Sequence, residues 1–141
     1  MADALSKTLT IKGYPDAFKG TATEIELPSE EDVIAYSYNV CSGVSCNLYE
    51  TKSSGELVEI ILIGVSSDMS TDDSKTFDGY ILTITAAFCA SIDELNALDE
   101  SLNFVDTGFT NGVLNIFNGS IASFIYHVND DGIAMLFVTP Y

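Results

Sequence analysis

Hydrophobic and polar residues alternate along most of this chain, which is the pattern of β-strands that bury one face. In "VIAYSYNV", every second residue from Ile34 to Val40 is apolar or aromatic. Turn-forming residues separate such segments, as in β-hairpins. The pattern predicts strands over residues 21–27, 33–40, 46–50, 56–65, 80–89, 112–117, 120–128 and 133–138, and a weaker alternation over 7–14 fits an edge strand.

One segment, "SIDELNALDESLNF", changes period and predicts a helix. Its apolar residues recur at helical spacing, at Ile92, Leu95, Leu98 and Leu102. Ser91 and Glu94 form the pattern of a capping box. We therefore expect one amphipathic helix over about 91–103. The polar stretch over 66–79 is expected to be a loop.

These elements predict the α+β class. The 141 residues are enough for one domain with its own core, so we expect a single globular domain over 1–141. The predicted sheet is mainly antiparallel and has six to eight strands, built from hairpins and a C-terminal meander. The one helix is expected to pack on one face of this sheet.

The charge balance narrows the choice of partner. The chain has 21 acidic residues and five basic ones, all of them lysine, and its net charge is −16. Such a chain repels nucleic acid, and it lacks the arginine fork that binds phosphate. We expect a basic protein partner and a candidate acidic surface at Asp93, Glu94, Asp99, Glu100, Glu30, Glu31 and Asp32. The alternative is that the four acids of the predicted helix, Asp93, Glu94, Asp99 and Glu100, form only its solvated face.

The sequence offers little for catalysis. His127 is the only histidine, and it lies within a predicted strand without a nearby partner in the sequence. No nucleotide-binding or zinc motif is present, so we predict no enzyme activity and no cofactor. Carboxylates of one loop make a weak calcium candidate, at Asp68, Asp72, Asp73 and Asp78. A calcium-dependent hydrolase is therefore the least favoured hypothesis.

Two of the three cysteines lie close together in "CSGVSC". A four-residue loop between strands would place Cys41 opposite Cys46, within disulfide range. We predict a hairpin disulfide there, with two free thiols as the alternative. The "ADA" after Met1 resembles the start of a mature secreted protein, and a disulfide would agree with this. Both features favour an exported protein whose signal peptide is absent from this chain.

The favoured hypothesis is an exported, non-catalytic acidic binding or inhibitor-type protein. The alternative is a cytoplasmic acidic chaperone-like or immunity (antitoxin-like) protein that pairs through its sheet as a homodimer. The strand, helix, strand order and acidic character resemble bacterial secretion chaperones and small immunity proteins. However, the chain ends in a strand where such a chaperone would end in a helix. No membrane association is expected, because the longest apolar run, Leu57 to Val65, is too short to span a bilayer.

Overall fold

The computed structural model of this chain describes residues 23–25, 27 and 32–141. These residues form an antiparallel sheet of seven strands, which agrees with the predicted α+β class and its mainly antiparallel sheet. The predicted strand over 7–14 lies outside the described residues. The strands are β1 (Thr23–Ile25), β2 (Val33–Cys41), β3 (Val44–Thr51), β4 (Leu57–Val65), β5 (Leu114–Asn118), β6 (Ala122–Val128) and β7 (Ile133–Pro140).

The strand order across the sheet is β1, β2, β3, β4, β7, β6, β5. The first four strands pair with their neighbours in sequence, and the last three form the predicted C-terminal meander. The two halves meet where β7 pairs with β4, with Ile61 opposite Phe137. The chain therefore leaves the centre of the sheet after β4, forms its helices, and returns to the sheet edge at β5.

The two faces of the sheet differ in how they are covered. Side chains alternate along a strand, so Leu62, Leu136 and Tyr126 share one face, where each is at most 1% exposed. We call this the covered face, because the helices pack on it. Ile61 and Phe137 belong to the opposite side, which we call the open face, and both are only partly buried.

The first helix, α1, spans Thr71–Ala87 and follows a short 3-10 turn at Ser66–Asp68. The predicted loop over 66–79 and the predicted strand over 80–89 are therefore wrong. A capping box begins the helix, since the Ser70 hydroxyl accepts from the Asp73 N–H and the Asp73 carboxylate accepts from the Ser70 N–H. The buried apolar side chains have helical spacing, at Phe77, Tyr80, Ile81 and Ile84.

The threonines that suggested a strand are accommodated within α1. The hydroxyl groups of Thr83 and Thr85 each donate a 2.8 Å hydrogen bond to the carbonyl four residues earlier. These bonds satisfy the buried hydroxyl groups without a sheet partner. The helix approaches the sheet closely at Gly64, where an added Cβ would lie 2.8 Å from the Phe77 ring.

The predicted helix over about 91–103 is confirmed as α2, which spans Ile92–Leu102. A single helical turn, α3 (Phe104–Thr107), follows directly, so more helices pack on the sheet than the one predicted. Leu98 and Leu102 are buried against the core. Within the described ranges, no helix has both the length and the apolar character needed to cross a membrane.

Candidate binding site

The helical layer, which we define as residues 71–107, carries much of the negative charge. It holds one base, Lys75, and eight acids: Asp72, Asp73, Asp78, Asp93, Glu94, Asp99, Glu100 and Asp106. The open face is different. Among the paired residues of β2, β3, β4, β7 and β6 whose side chains lie on this face, Glu59 is the only carboxylate. The sheet therefore separates an acidic side from a largely uncharged one.

Three adjoining depressions form a groove across the helical layer, which we call the helical groove. The central depression, of about 390 Å³, is lined by Ser74, Asp78, Ile81, Leu82, Asp99, Phe104, Gly108 and Phe109. A second, of about 380 Å³, shares Ser74 and Phe109 and extends to Lys75. A third, of about 170 Å³, shares Leu82, Asp99 and Phe104 and extends along α2. A groove of this size can hold several side chains of a peptide.

Asp78 gives the centre of the groove its electrostatic character. Partial burial raises the pKa of its carboxyl group, because an apolar setting disfavours the charged form. The nearby Tyr126 phenol has a raised pKa, first because of its burial and second because of the charge on Asp78. Asp99 lines the same depression from α2. Two carboxylates from different helices therefore meet at one concave surface.

The walls of the groove are apolar and are held by the core beneath them. Leu82, on the outer side of α1, is 58% exposed and forms part of the wall. Phe109 packs on Phe77, with ring centroids 5.6 Å apart, and Phe104 meets Tyr126 edge-on at 4.9 Å. The Tyr126 hydroxyl donates a 2.7 Å hydrogen bond to the Gly108 carbonyl and so fixes the chain after α3. The arrangement can bind an apolar stem that ends in a positive charge.

The acidic residues predicted from sequence lie in different places. Asp93, Asp99 and Glu100 are exposed on α2, but only Asp99 lines the groove. Asp32 immediately precedes β2, and its carboxylate accepts a hydrogen bond from the Ser53 hydroxyl. Glu30 and Glu31 lie outside the described residues. The remaining acid of this group, Glu94, is hydrogen-bonded within the fold.

The Glu94 carboxylate joins α2 to the turn between β5 and β6. It accepts hydrogen bonds from the Ala90 N–H, the Ser120 N–H and the Ser120 hydroxyl. These bonds, led by the one from the Ser120 backbone, lower the pKa of Glu94. The Glu94 N–H donates to the Ser91 hydroxyl at 3.1 Å, which confirms Ser91 as the helix cap. Glu94 thus fixes the far end of the helical layer.

We expect Glu94→Gln to lower the free energy of unfolding at neutral pH. The folded-state pKa is below the unfolded one, so the contribution is present above the unfolded pKa and is lost as pH falls through the folded pKa. The free energy of unfolding should therefore fall less between neutral and acid pH in the variant than in the wild type. Urea unfolding at several pH values would measure this. Glu100→Gln, on the exposed side of α2, is the matched control, and an equal loss in both variants would contradict the assignment.

The predicted disulfide between Cys41 and Cys46 is absent, and all three cysteines are free thiols. The reason is the register of the hairpin. The turn is two residues long and uses Gly43 at φ 73°, so Cys41 lies opposite Val44 and Cys46 lies opposite Tyr38. A diagonal pair has Cα atoms about 7 to 8 Å apart, too far for a disulfide. The structure therefore removes the disulfide as an argument for export.

Thiol titration of the unreduced protein should give three thiols per chain after denaturation, counting Cys89. In the native protein, we expect Cys46 not to react, because burial raises its pKa to about 12. Burial, followed by a hydrogen bond to Asp73, raises the pKa of Cys41 to about 11, so this thiol should react slowly. A value of one thiol in the denatured, unreduced protein would show that a disulfide forms.

The carboxylates of the weak calcium candidate do not form a common site. Asp68 belongs to the 3-10 turn, Asp73 is used in the cap of α1, and Asp78 lies farther along that helix. Asp72 shares the first turn of α1 with Asp73. Over the part of the chain that the structure describes, no three acidic, thiol or imidazole groups gather as metal ligands.

The groove residues other than Asp78 and Asp99 were missed by the sequence interpretation. Leu82 was assigned to a strand face, and Phe104 and Phe109 had no assigned role. The only sequence signal for the α1 side of the groove was the helical spacing of Phe77, Ile81 and Ile84. The same stretch also alternates between apolar and polar residues, as a strand does. His127, in β6, lies away from the groove, and its Nδ1 is 3.0 Å from the Val113 carbonyl oxygen.

Comparisons with known proteins returned no match, whether the chain was compared with family models, with curated proteins or with solved structures.

Proposed function

We propose that this protein is a non-catalytic acidic binding protein of the inhibitor type, and that its helical groove receives a basic, partly apolar segment of a partner protein. The observation that carries this proposal is the placement of Asp78 and Asp99 around one apolar depression beside the exposed Leu82. An arginine or lysine side chain fits this chemistry, because its stem packs on apolar surface while its head meets a carboxylate.

The charge of the layer supports the same class of partner. The layer has eight carboxylates against one lysine, and this excess of negative charge attracts a basic segment from a distance and speeds its association. The described residues that line the groove present no thiol and no imidazole. A surface of this kind is suited to binding rather than to nucleophilic chemistry.

A titration with a short peptide of mixed arginine and leucine residues tests the proposal. We expect saturable binding that weakens as salt rises from 0.05 to about 0.5 M, because ions screen the charge pairs. Binding should also weaken as pH falls through the raised pKa of Asp78, because protonation removes its charge. The matched control is the same peptide with glutamate in place of arginine. No binding of the basic peptide, or equal binding of both peptides, would contradict the proposal.

A further inference from the structure

The open face carries an apolar patch that the helical layer does not cover. The patch spans the four strands β4, β7, β6 and β5, and it consists of Ile61, Ile63, Val65, Ile133, Met135, Phe137, Ile125, Leu114 and Ile116. Leu114 and Ile116, on the edge strand, are 59% and 55% exposed. We call this set the open-face patch. The largest apolar patch on a monomer covers about 300 to 600 Å² and is often functional.

The open-face patch is nearly free of charge in a chain whose net charge is −16. Glu59 lies at its margin, beside Thr139, and burial raises the pKa of that carboxyl group. His127 is the only other titratable side chain among the paired positions of this region. A basic partner therefore has little to bind here, whereas an equally uncharged apolar surface is complementary to the patch.

We infer that the open-face patch pairs two copies of this chain as a homodimer. A second copy supplies a surface of the same composition, as a twofold interface requires. Two sheets that pack face to face lie about 10 Å apart. Each acidic helical layer lies beyond its own sheet, so pairing through the open faces keeps the two layers farther apart than the screening length of about 8 Å. This is the pairing that keeps the two acidic layers apart while it buries apolar surface.

The size of the patch indicates the strength of the pairing. Four strands and three rows of side chains span about 19 by 20 Å, or about 400 Å² on each copy. A standard interface buries about 800 Å² per partner, so the patch by itself provides about half. The dimer therefore dissociates on dilution. The helical groove lies on the opposite side of the sheet and stays accessible in both copies.

Sedimentation equilibrium over a wide concentration range tests the inference. The mass should rise from 15.2 kDa toward twice that value as the concentration increases. Higher salt should strengthen the dimer, because it screens the repulsion between the acidic copies while the apolar contact remains. Binding of a basic peptide responds to salt in the opposite direction, so failure of the dimer and failure of the proposed function can be told apart.

Two lysine variants locate the interface. Ile116→Lys places a charge in the open-face patch and should keep the protein monomeric, even though it lowers the net negative charge. Ile92→Lys is the matched control, because Ile92 is 77% exposed on α2 and lies outside both the patch and the groove; it should dimerise at least as well as the wild type. Leu114→Lys is a second interface variant if Ile116→Lys fails to give a folded circular dichroism spectrum. A wild type that stays monomeric throughout, or a folded patch variant that dimerises normally, would overturn the inference.

Discussion

Phe77→Ala should lower the free energy of unfolding by about 3 to 5 kcal/mol, the typical cost of removing a buried phenylalanine ring. The ring is fully buried, and it touches both Gly64 on β4 and Phe109 beside the groove. Its loss leaves a cavity between α1 and the centre of the sheet. Urea unfolding followed by circular dichroism would measure this change.

Gly64→Ala tests the same contact from the side of the sheet. Alanine normally stabilises a strand relative to glycine, but here its Cβ would lie 2.8 Å from the Phe77 ring. We therefore expect a loss of about 1 to 3 kcal/mol from overpacking. In the Phe77→Ala background the same change should cost little, because the space is vacant.

The double-mutant cycle separates this contact from general damage. Leu82→Ala is a suitable control, since Leu82 belongs to the same helix but is largely exposed, and its cost should be small. Additive losses for Phe77→Ala and Gly64→Ala would mean that α1 does not pack on β4 at this point.

Asp78→Asn combined with Asp99→Asn should weaken binding of the arginine and leucine peptide by about tenfold at low salt. The two changes remove the carboxylates of the central depression and leave its shape almost unchanged. The dependence of affinity on salt should become shallower as well, because fewer charge pairs form. Isothermal titration calorimetry at three salt concentrations would measure both effects.

The matched control is Asp130→Asn combined with Asp131→Asn. It changes the net charge by the same amount at two exposed carboxylates of the turn between β6 and β7, neither of which lines the groove. Leu82→Ala provides a different comparison, since it should lower affinity without changing the salt dependence. Equal weakening in the two double variants would assign the attraction to net charge alone and not to the groove.

The sequence pattern predicted the sheet well, for a clear physical reason. One face of each central strand is buried by the helices, so residues such as Leu62 and Tyr126 alternate with less buried neighbours. The α2 helix was predicted because its apolar period and its Ser91 cap agree with each other. Where the local pattern and the packing agree, sequence is sufficient.

The α1 helix was missed because its sequence fits two periods. Tyr80 and Ile84 belong both to an alternating series and to a helical one, and β-branched residues favoured the strand. The helix is favoured by the cap at Ser70 and by the burial of Phe77 against Gly64, a contact between α1 and β4 that the local pattern does not show.

The groove could not be predicted while α1 was assigned as loop and strand. Asp78 and Asp99 are distant in sequence, and only the packing of two helices brings them to one depression. The disulfide prediction failed for a smaller reason. A two-residue turn instead of a four-residue one moved Cys46 from opposite Cys41 to opposite Tyr38.

Backbone amide NMR during titration with the arginine and leucine peptide shows directly whether the helical groove is the binding site. We expect the largest shift changes at the groove, including Ser74, Asp78, Leu82 and Asp99, with little change at Ile61 and Phe137 on the open face. Loss of these changes in the double variant of Asp78 and Asp99 would complete the assignment. Shift changes centred on the open face, or none at saturating peptide, would contradict it.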